Sequence, residues 1–191
     1  MILLVLKERI FNLITKNNME ETKLIIEFIE LSGFILKNES FLSLRNYIQH
    51  GKTSIFDHVI NVSFECFRKN YHNKRIDKRS LVVGALLHDF FLYDWHKSKK
   101  ETGRKGLHGY KHAKIAMEKA SKEFFLSEKE KKMILTHMWP LNLFKIPSSK
   151  EAWILCKEDK NVSLRECFRL DNKNTNLFNK IDEIIEIYKK V

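Results

Sequence analysis

Residues 81–93 read LVVGALLHDFFLY, and this stretch decides how the chain folds. It is apolar except for His88 and Asp89, so it must lie in the protein interior. A run of this kind is consistent with either a buried strand or a buried helix. No partner strands are recognisable elsewhere in the chain, so a helix is favoured. The imidazole and the carboxylate would then be buried together among apolar side chains.

The rest of the chain also favours helices. Its 191 residues include only six Gly and two Pro, which is unlike a turn-rich β-sandwich or barrel. Apolar residues recur at helical spacing from Ile2 to Ile14, and Gly33 is expected to end a second helix. We predict an all-α bundle of about eight or nine helices, the later ones near 19–31, 41–48, 55–67, 81–93, 113–124, 127–137, 150–170 and 177–190.

Charge and cysteine content narrow the classes of protein. The formal net charge of +11 favours anionic partners, namely phosphorylated metabolites, nucleotides, nucleic acid or an acidic membrane surface, although a solvated lysine-rich surface explains it equally well. The three cysteines form no C-x-x-C pair, which argues against a zinc ribbon or a disulfide scaffold. Neither a signal peptide nor a spanning helix is recognisable, so we expect a cytoplasmic protein without a membrane partner.

Several histidines lie among apolar residues, where a polar ring is expected to form a hydrogen bond or to bind a ligand. His58 and His137 each have apolar neighbours at helical spacing, and His112 opens an apolar-faced helix. A lone buried histidine is more often a satisfied core residue than a ligand. The strongest site is His88-Asp89, because a buried carboxylate is costly unless it is paired or bound to a metal ion.

The ordered set His58, His88-Asp89 and Asp159 resembles the H…HD…D signature of the HD superfamily of metal-dependent phosphohydrolases. Composition alone does not separate Asp159 from its neighbour Glu158. Four short motifs around these residues agree with the resemblance, which spans about 49–164. They are Thr53-Ser54-x-x-x-His58, Gly84-Ala85-Leu86-Leu87-His88-Asp89, His108-Gly109-x-x-His112 and His137-Met138-Trp139-Pro140. The last two motifs are similar to those of a group of small uncharacterised bacterial HD proteins.

The resemblance implies a metal site and its ligands. One ion would be held by His58, His88, Asp89 and Asp159. Members with two ions add two histidines and use the HD aspartate as a bridge. His137 fits one of these positions, and His112 and His108 compete for the other. Mixed histidine and carboxylate ligands suit one or two ions of Mn, Fe, Co, Ni or Zn. We expect 49–175 to form this metal-binding core within one compact domain, with N-terminal helices at 1–48 and a C-terminal helix at 176–191 packed on it.

The resemblance also implies a reaction. A metal-dependent hydrolase of a nucleotide or another small phosphate ester is expected, with Asp89 in the chemistry and Asp94 and His96 as candidate general acids or, alternatively, surface residues. The usual HD-I-G-K continuation is absent, so phosphate contacts are expected from Lys97, Arg104, Lys105 and His50.

Two other functions compete with hydrolysis. A metal-bound nucleotide sensor with weak or no turnover would keep the same ligands and lose the reaction. A basic nucleic-acid binder is disfavoured, because no helix-turn-helix pattern or aromatic stacking platform is recognisable. The Gly-Tyr-Pro element of cyclic-dinucleotide enzymes is absent as well, which argues against that substrate class. The oligomeric state does not follow from the sequence.

Overall fold

The computed structural model describes residues 19–95, 108–168 and 175–189. Within these ranges it contains eight α-helices, one 3-10 helix and one two-stranded hairpin. The predicted all-α class is confirmed, while the predicted helix from Ile2 to Ile14 lies outside the described residues. In chain order the elements are α1 (Met19–Leu36), α2 (Glu39–Leu42), the 3-10 helix (Ser43–Asn46), β1 (Ile48–His50), β2 (Thr53–Ser54), α3 (Ile55–Lys69), α4 (Lys78–Leu87), α5 (His108–Glu123), α6 (Glu128–Thr136), α7 (Lys150–Cys167) and α8 (Thr175–Lys189).

Helices α3 and α4 form the centre of the fold. They pack on each other, α3 also contacts α7, and α4 also contacts α1 and α6. Every residue of α4 from Ser80 to Leu87 is buried, as the apolar run predicts. The main hydrophobic cluster joins α1, α3, α4, α5 and α8, and edge-to-face ring pairs such as Phe28 with Phe64 lie inside it.

Side-chain caps fix where three of the central helices begin. The Ser54 hydroxyl accepts a hydrogen bond from the backbone N–H of Asp57 at 3.0 Å, which starts α3. The Asp77 carboxylate starts α4 in the same way. Ser127 and Glu130 form a capping box at the start of α6, as the spacing Ser127-x-x-Glu130 predicts. These caps set the start of the helices that carry His58 and lead into His88 and His137.

Three predicted helix ends are wrong. The helix predicted at 41–48 already ends at Asn46, because Ile48 pairs with Ser54 in the hairpin of β1 and β2. Gly33 does not end α1, because Ile35 and Leu36 are fully buried and their packing carries the helix on to Leu36. The central helix does not continue to Tyr93, since α4 stops at Leu87. Leu92 has a φ of 35°, which a right-handed helix does not allow. Phe90 and Phe91 remain fully buried although they have left the helix.

A small hairpin forms at 48–54, where the polar stretch Gln49-His50-Gly51-Lys52 predicts a loop. Strands β1 and β2 pair antiparallel, with Ile48 opposite Ser54. Gly51 turns the hairpin with a φ of 56°, a conformation that glycine adopts without a steric penalty. The basic loop predicted at 97–111 also ends earlier than expected, because α5 already begins at His108. Among the described helices, none is long and apolar enough to cross a membrane. The domain division at 48 and 175 stays a prediction.

We predict that Ser127→Ala lowers the free energy of unfolding by about 1 kcal/mol, because it removes the hydroxyl that satisfies the first turn of α6. Urea denaturation followed by circular dichroism measures the change. Ser121→Ala serves as the control, since the Ser121 hydroxyl is exposed and its hydrogen bond within the described residues is a long one of 3.5 Å to the Met117 sulfur. Equal stability of the two variants would contradict a stabilising role for the cap.

Candidate metal centre

Five helices bring six histidine and aspartate side chains together in the interior. α3 provides one histidine, and the end of α4 provides the His-Asp pair. α5, the residue after α6 and α7 each provide one more side chain. All six are at most 7% exposed. They are His58, His88, Asp89, His112, His137 and Asp159.

The first group of ligand atoms lies around one oxygen of Asp159. The Nε2 atom of His58 is 3.2 Å from Asp159 Oδ1, and the Nε2 atom of His88 is 3.5 Å from the same oxygen. His88 Nε2 is also 3.5 Å from Oδ2 of Asp89. The ligand atoms of His58, His88 and Asp159 all lie within 4.8 Å of one another. One cation placed among them would contact two imidazoles and a carboxylate.

The second group lies around the other oxygen of Asp89. The Oδ1 atom of Asp89 is 3.4 Å from His112 Nε2 and 3.6 Å from His137 Nε2. The two imidazole nitrogens are 3.0 Å apart. Asp89 therefore directs Oδ2 to the first group and Oδ1 to the second, which is the arrangement of a carboxylate that can bridge two cations.

Hydrogen bonds on the far side of three rings fix which nitrogen faces the centre. His88 Nδ1 donates to the Ala85 carbonyl and His137 Nδ1 donates to the Ile134 carbonyl, each at 2.7 Å. His58 Nδ1 donates to the Glu166 carboxylate at 2.8 Å. Because carbonyl and carboxylate oxygens only accept, the neutral rings present the Nε2 lone pair to the centre. Metal-binding histidines are held by their other ring nitrogen in this way.

The centre contains polar atoms without hydrogen-bond partners. Among the described residues, His88 Nε2 and Asp89 Oδ1 are buried and unpartnered. Buried polar groups are normally satisfied, and each exception needs an explanation. A cation explains both atoms at once, because it replaces repulsion between lone pairs by coordination. The residues present therefore fit a metal ion.

Electrostatics in the centre keep the carboxylates charged. Burial alone would raise the pKa of Asp89, but the surrounding imidazoles, led by His88, lower it to about 2. Burial likewise opposes ionisation of Asp159, whose pKa is nevertheless held well below its usual range by a hydrogen bond with His58 and by the adjacent His88 ring. Both groups are therefore anionic near neutral pH, as metal ligands must be.

The imidazoles are affected in opposite directions. Burial, followed by the neighbouring His88, lowers the pKa of His137 to about 3, so this ring stays neutral. Burial also disfavours the charged form of His58, but hydrogen bonds to Asp159 and Glu166 outweigh it and raise the pKa well above its usual value. Without a metal ion His58 Nε2 therefore carries a proton near neutral pH, and a cation bound at the same point would take the place of that proton.

A cavity of about 650 Å³ leads to this centre. Three of its residues belong to the second group of ligands or bridge to it, and Asp159 represents the first. Lys160 contributes an ammonium group, which donates to the carbonyl of His137 at 2.9 Å. Apolar side chains form much of the remaining wall. The lining residues are Gln49, His50, Asp89, Trp95, His112, His137, Met138, Pro140, Leu141, Asp159, Lys160 and Ser163.

The structure brings together most of the predicted site residues that it describes. The six ligand candidates listed above meet in the interior, and His50 lines the cavity. Asp94 is half-buried and is not among the residues that line it. For the competing histidines, His112 lies in the centre, whereas the side chain of His108 is outside the described part. His96, Lys97, Arg104 and Lys105 also lie outside the described residues.

Two residues that hold ligand side chains in place, Glu166 and Gln49, were not predicted from the sequence, and neither was Lys160 in the cavity wall. Glu166 holds His58, and its spacing of seven residues from Asp159 along α7 is a signal that could have found it. Gln49 donates its amide N–H to Asp89 Oδ2 at 2.6 Å and is only 7% exposed. No sequence signal identifies Gln49, because its role depends on the unexpected hairpin.

No protein-family model, curated protein or solved structure matches this chain. The resemblance to the HD superfamily therefore stays a prediction from the motifs. The geometry of the two ligand groups supports a metal site independently of that resemblance.

We predict that His137→Ala lowers the bound metal from about two ions to about one per chain, since the first group keeps its own ligands. Elemental analysis of the purified protein after incubation with Mn²⁺ or Zn²⁺ measures the stoichiometry. His72→Ala is the matched control, because the His72 side chain is 81% exposed and remote from the centre. An unchanged stoichiometry in His137→Ala would make this residue a core histidine rather than a ligand.

Asp89→Ala should reduce the metal content further than His137→Ala, because Asp89 belongs to both groups.

We predict that Gln49→Leu weakens divalent metal binding by about 10- to 100-fold, because the Asp89 carboxylate loses the donor that fixes its rotation. Titration calorimetry with Mn²⁺ should show the larger loss of affinity at the His112–His137 group, because among the described residues Asp89 alone provides a carboxylate oxygen there. The control Asn70→Ala removes a side-chain amide that bonds to the Cys66 carbonyl at the far end of α3. If both variants bind Mn²⁺ like the wild type, Gln49 has no positioning role.

Proposed function

We propose that this chain is a metal-dependent phosphohydrolase of the HD type that acts on a nucleotide or another small phosphate ester. The observation that carries the proposal is the position of Asp89, whose two oxygens each face a separate group of imidazole nitrogens. A carboxylate shared between two cations is a common basis of metal-assisted phosphoester hydrolysis.

The side chains present fit the predicted cofactors. His58, His88 and Asp159 with one oxygen of Asp89 would hold one ion, and His112 and His137 with the other oxygen would hold a second. Such mixed nitrogen and oxygen ligands suit Mn, Fe, Co, Ni or Zn better than Mg. Bound there, one or two ions would supply a Lewis acid that lowers the pKa of water and polarises a phosphoryl oxygen.

The remaining residues of the site bind and orient. Glu166 and Gln49 hold a ligand ring and a ligand carboxylate from outside. Lys160 provides a positive charge in the cavity wall, where it would attract a phosphate dianion. Met138 and Leu141 form an apolar part of the wall that would receive the organic group. A volume of about 650 Å³ suits a ligand the size of a mononucleotide.

We predict metal-dependent turnover of at least one member of a phosphoester panel that includes nucleotides, assayed with Mn, Co, Ni, Fe and Zn in turn. Asp159→Ala should abolish turnover, because it removes a carboxylate common to His58 and His88. Lys160→Met should raise KM more than it lowers kcat, since a wall charge binds ground and transition states alike. Lys157→Met is the control, because Lys157 lies on the exposed face of α7 and does not line the cavity.

The absence of turnover across the whole panel would overturn the proposal if the protein still contains metal. Nucleotide binding without turnover would then support the alternative of a metal-bound nucleotide sensor. Equilibrium dialysis with labelled nucleotides separates this outcome from a protein that binds no nucleotide at all.

A further inference from the structure

The rim of the cavity carries large apolar side chains that face solvent. Residues 141–146 read LNLFKI, and we refer to them as the rim segment. Leu141 is 46% exposed, Leu143 66%, Phe144 99% and Ile146 60%. Successive turns make the segment compact, with hydrogen bonds from the N–H of Asn142 to the Met138 carbonyl and from Lys145 to the Asn142 carbonyl. Contiguous exposed apolar side chains of this size indicate an interaction surface.

The rim segment is continuous with the lining of the cavity. Met138, Pro140 and Leu141 line the cavity, and Leu141 is at the same time half-exposed at the surface. Leu143 and Phe144 follow directly in the chain. The apolar wall of the cavity therefore extends outwards onto the surface, so whatever covers the rim segment also borders the cavity mouth.

The chain on either side of the rim segment is basic. Between residues 138 and 157 the basic residues are Lys145, Lys150 and Lys157, and the only acidic residue is Glu151. Glu151 is 5% exposed, and its carboxylate accepts a hydrogen bond from the Asp77 backbone N–H. Its charge thus faces the protein, so the charges that this stretch of chain presents to solvent are those of the lysines.

Two tryptophans border the same region. Trp139 and Trp153 pack edge to face with their ring centroids 4.9 Å apart, and Trp153 is 43% exposed. Tryptophan combines an apolar ring with a polar N–H, a combination that is favoured at the boundary between water and lipid. The region therefore presents exposed apolar, aromatic and cationic groups together, which is typical of segments that bind a bilayer surface.

We propose that the rim segment docks on an anionic lipid surface. A second copy of the chain fits less well, because each copy has a formal net charge of +11 and the exposed charges along this stretch of chain are lysines. An anionic bilayer instead accepts both features, since its headgroups attract the lysines and its acyl boundary buries Leu143 and Phe144. The expectation of no membrane partner came from the lack of a spanning segment, which surface docking does not require.

Sedimentation of the full chain with vesicles tests the proposal. Binding is expected to vesicles of phosphatidylcholine with about one third phosphatidylglycerol, and it should fall as salt screens the charges. The double variant Leu143→Ser/Phe144→Ser should lower the partition coefficient at least about tenfold. Phe125→Ser is the matched control and should bind normally, because Phe125 is 93% exposed but lies between α5 and α6. Thermal unfolding checks that both variants keep their fold.

Three outcomes would overturn the proposal. The first is that the wild type fails to bind the anionic vesicles, or binds them no better than pure phosphatidylcholine. The second is that Phe125→Ser loses as much binding as the double variant, which would indicate a general effect of exposed apolar groups. The third is that the chain binds no vesicles but forms a dimer in sedimentation equilibrium that the double variant abolishes, which would assign the rim segment to a second copy. Since none of these measurements needs turnover, they are independent of the proposed hydrolase function.

Discussion

The fold depends on compensating the buried negative charge of the Asp89 carboxylate. An ionised carboxylate in a protein interior costs several kcal/mol unless opposite charges and hydrogen bonds compensate for it. Here four imidazoles lie within 4 Å of its oxygens, and Gln49 donates to one of them. These groups come from separate elements, so the helices have to converge on one residue. Packing around α4 and compensation of this charge are therefore achieved by the same arrangement.

The sequence allowed those features to be predicted that depend on neighbouring residues. A His-Asp pair inside an apolar run indicates a buried polar site, and Ser127-x-x-Glu130 indicates a helix start, because both signals are complete within a few residues. The end of α4 could not be predicted, since it depends on how Phe90 and Phe91 pack after the helix stops. The helix end predicted at Gly33 was wrong for the same reason, because tertiary packing of the buried side chains beyond Gly33 extends α1.

The early end of α4 and the unexpected hairpin are related. His88 caps the helix, and Asp89 follows outside it, so the carboxylate is free of the helical register that would otherwise fix its direction. An additional donor must then fix that direction, and β1 brings Gln49 to Asp89 Oδ2. The turn at Gly51 directs the chain from β1 into β2 and the cap of α3. One short hairpin thus connects the position of Asp89 with the start of the helix that carries His58.

Metal binding and stability are coupled in such a centre. The Nε2 atoms of His58, His88 and His137 face carboxylate oxygens, so a cation bound to the folded chain and not to the unfolded one stabilises the fold by mass action. The ligands differ in how far their loss spreads. Asp89 belongs to both groups, whereas His112 and His137 belong to one. A chain that lost the second group would still bury Asp89 beside His58 and His88, so we expect its fold to persist with a single ion.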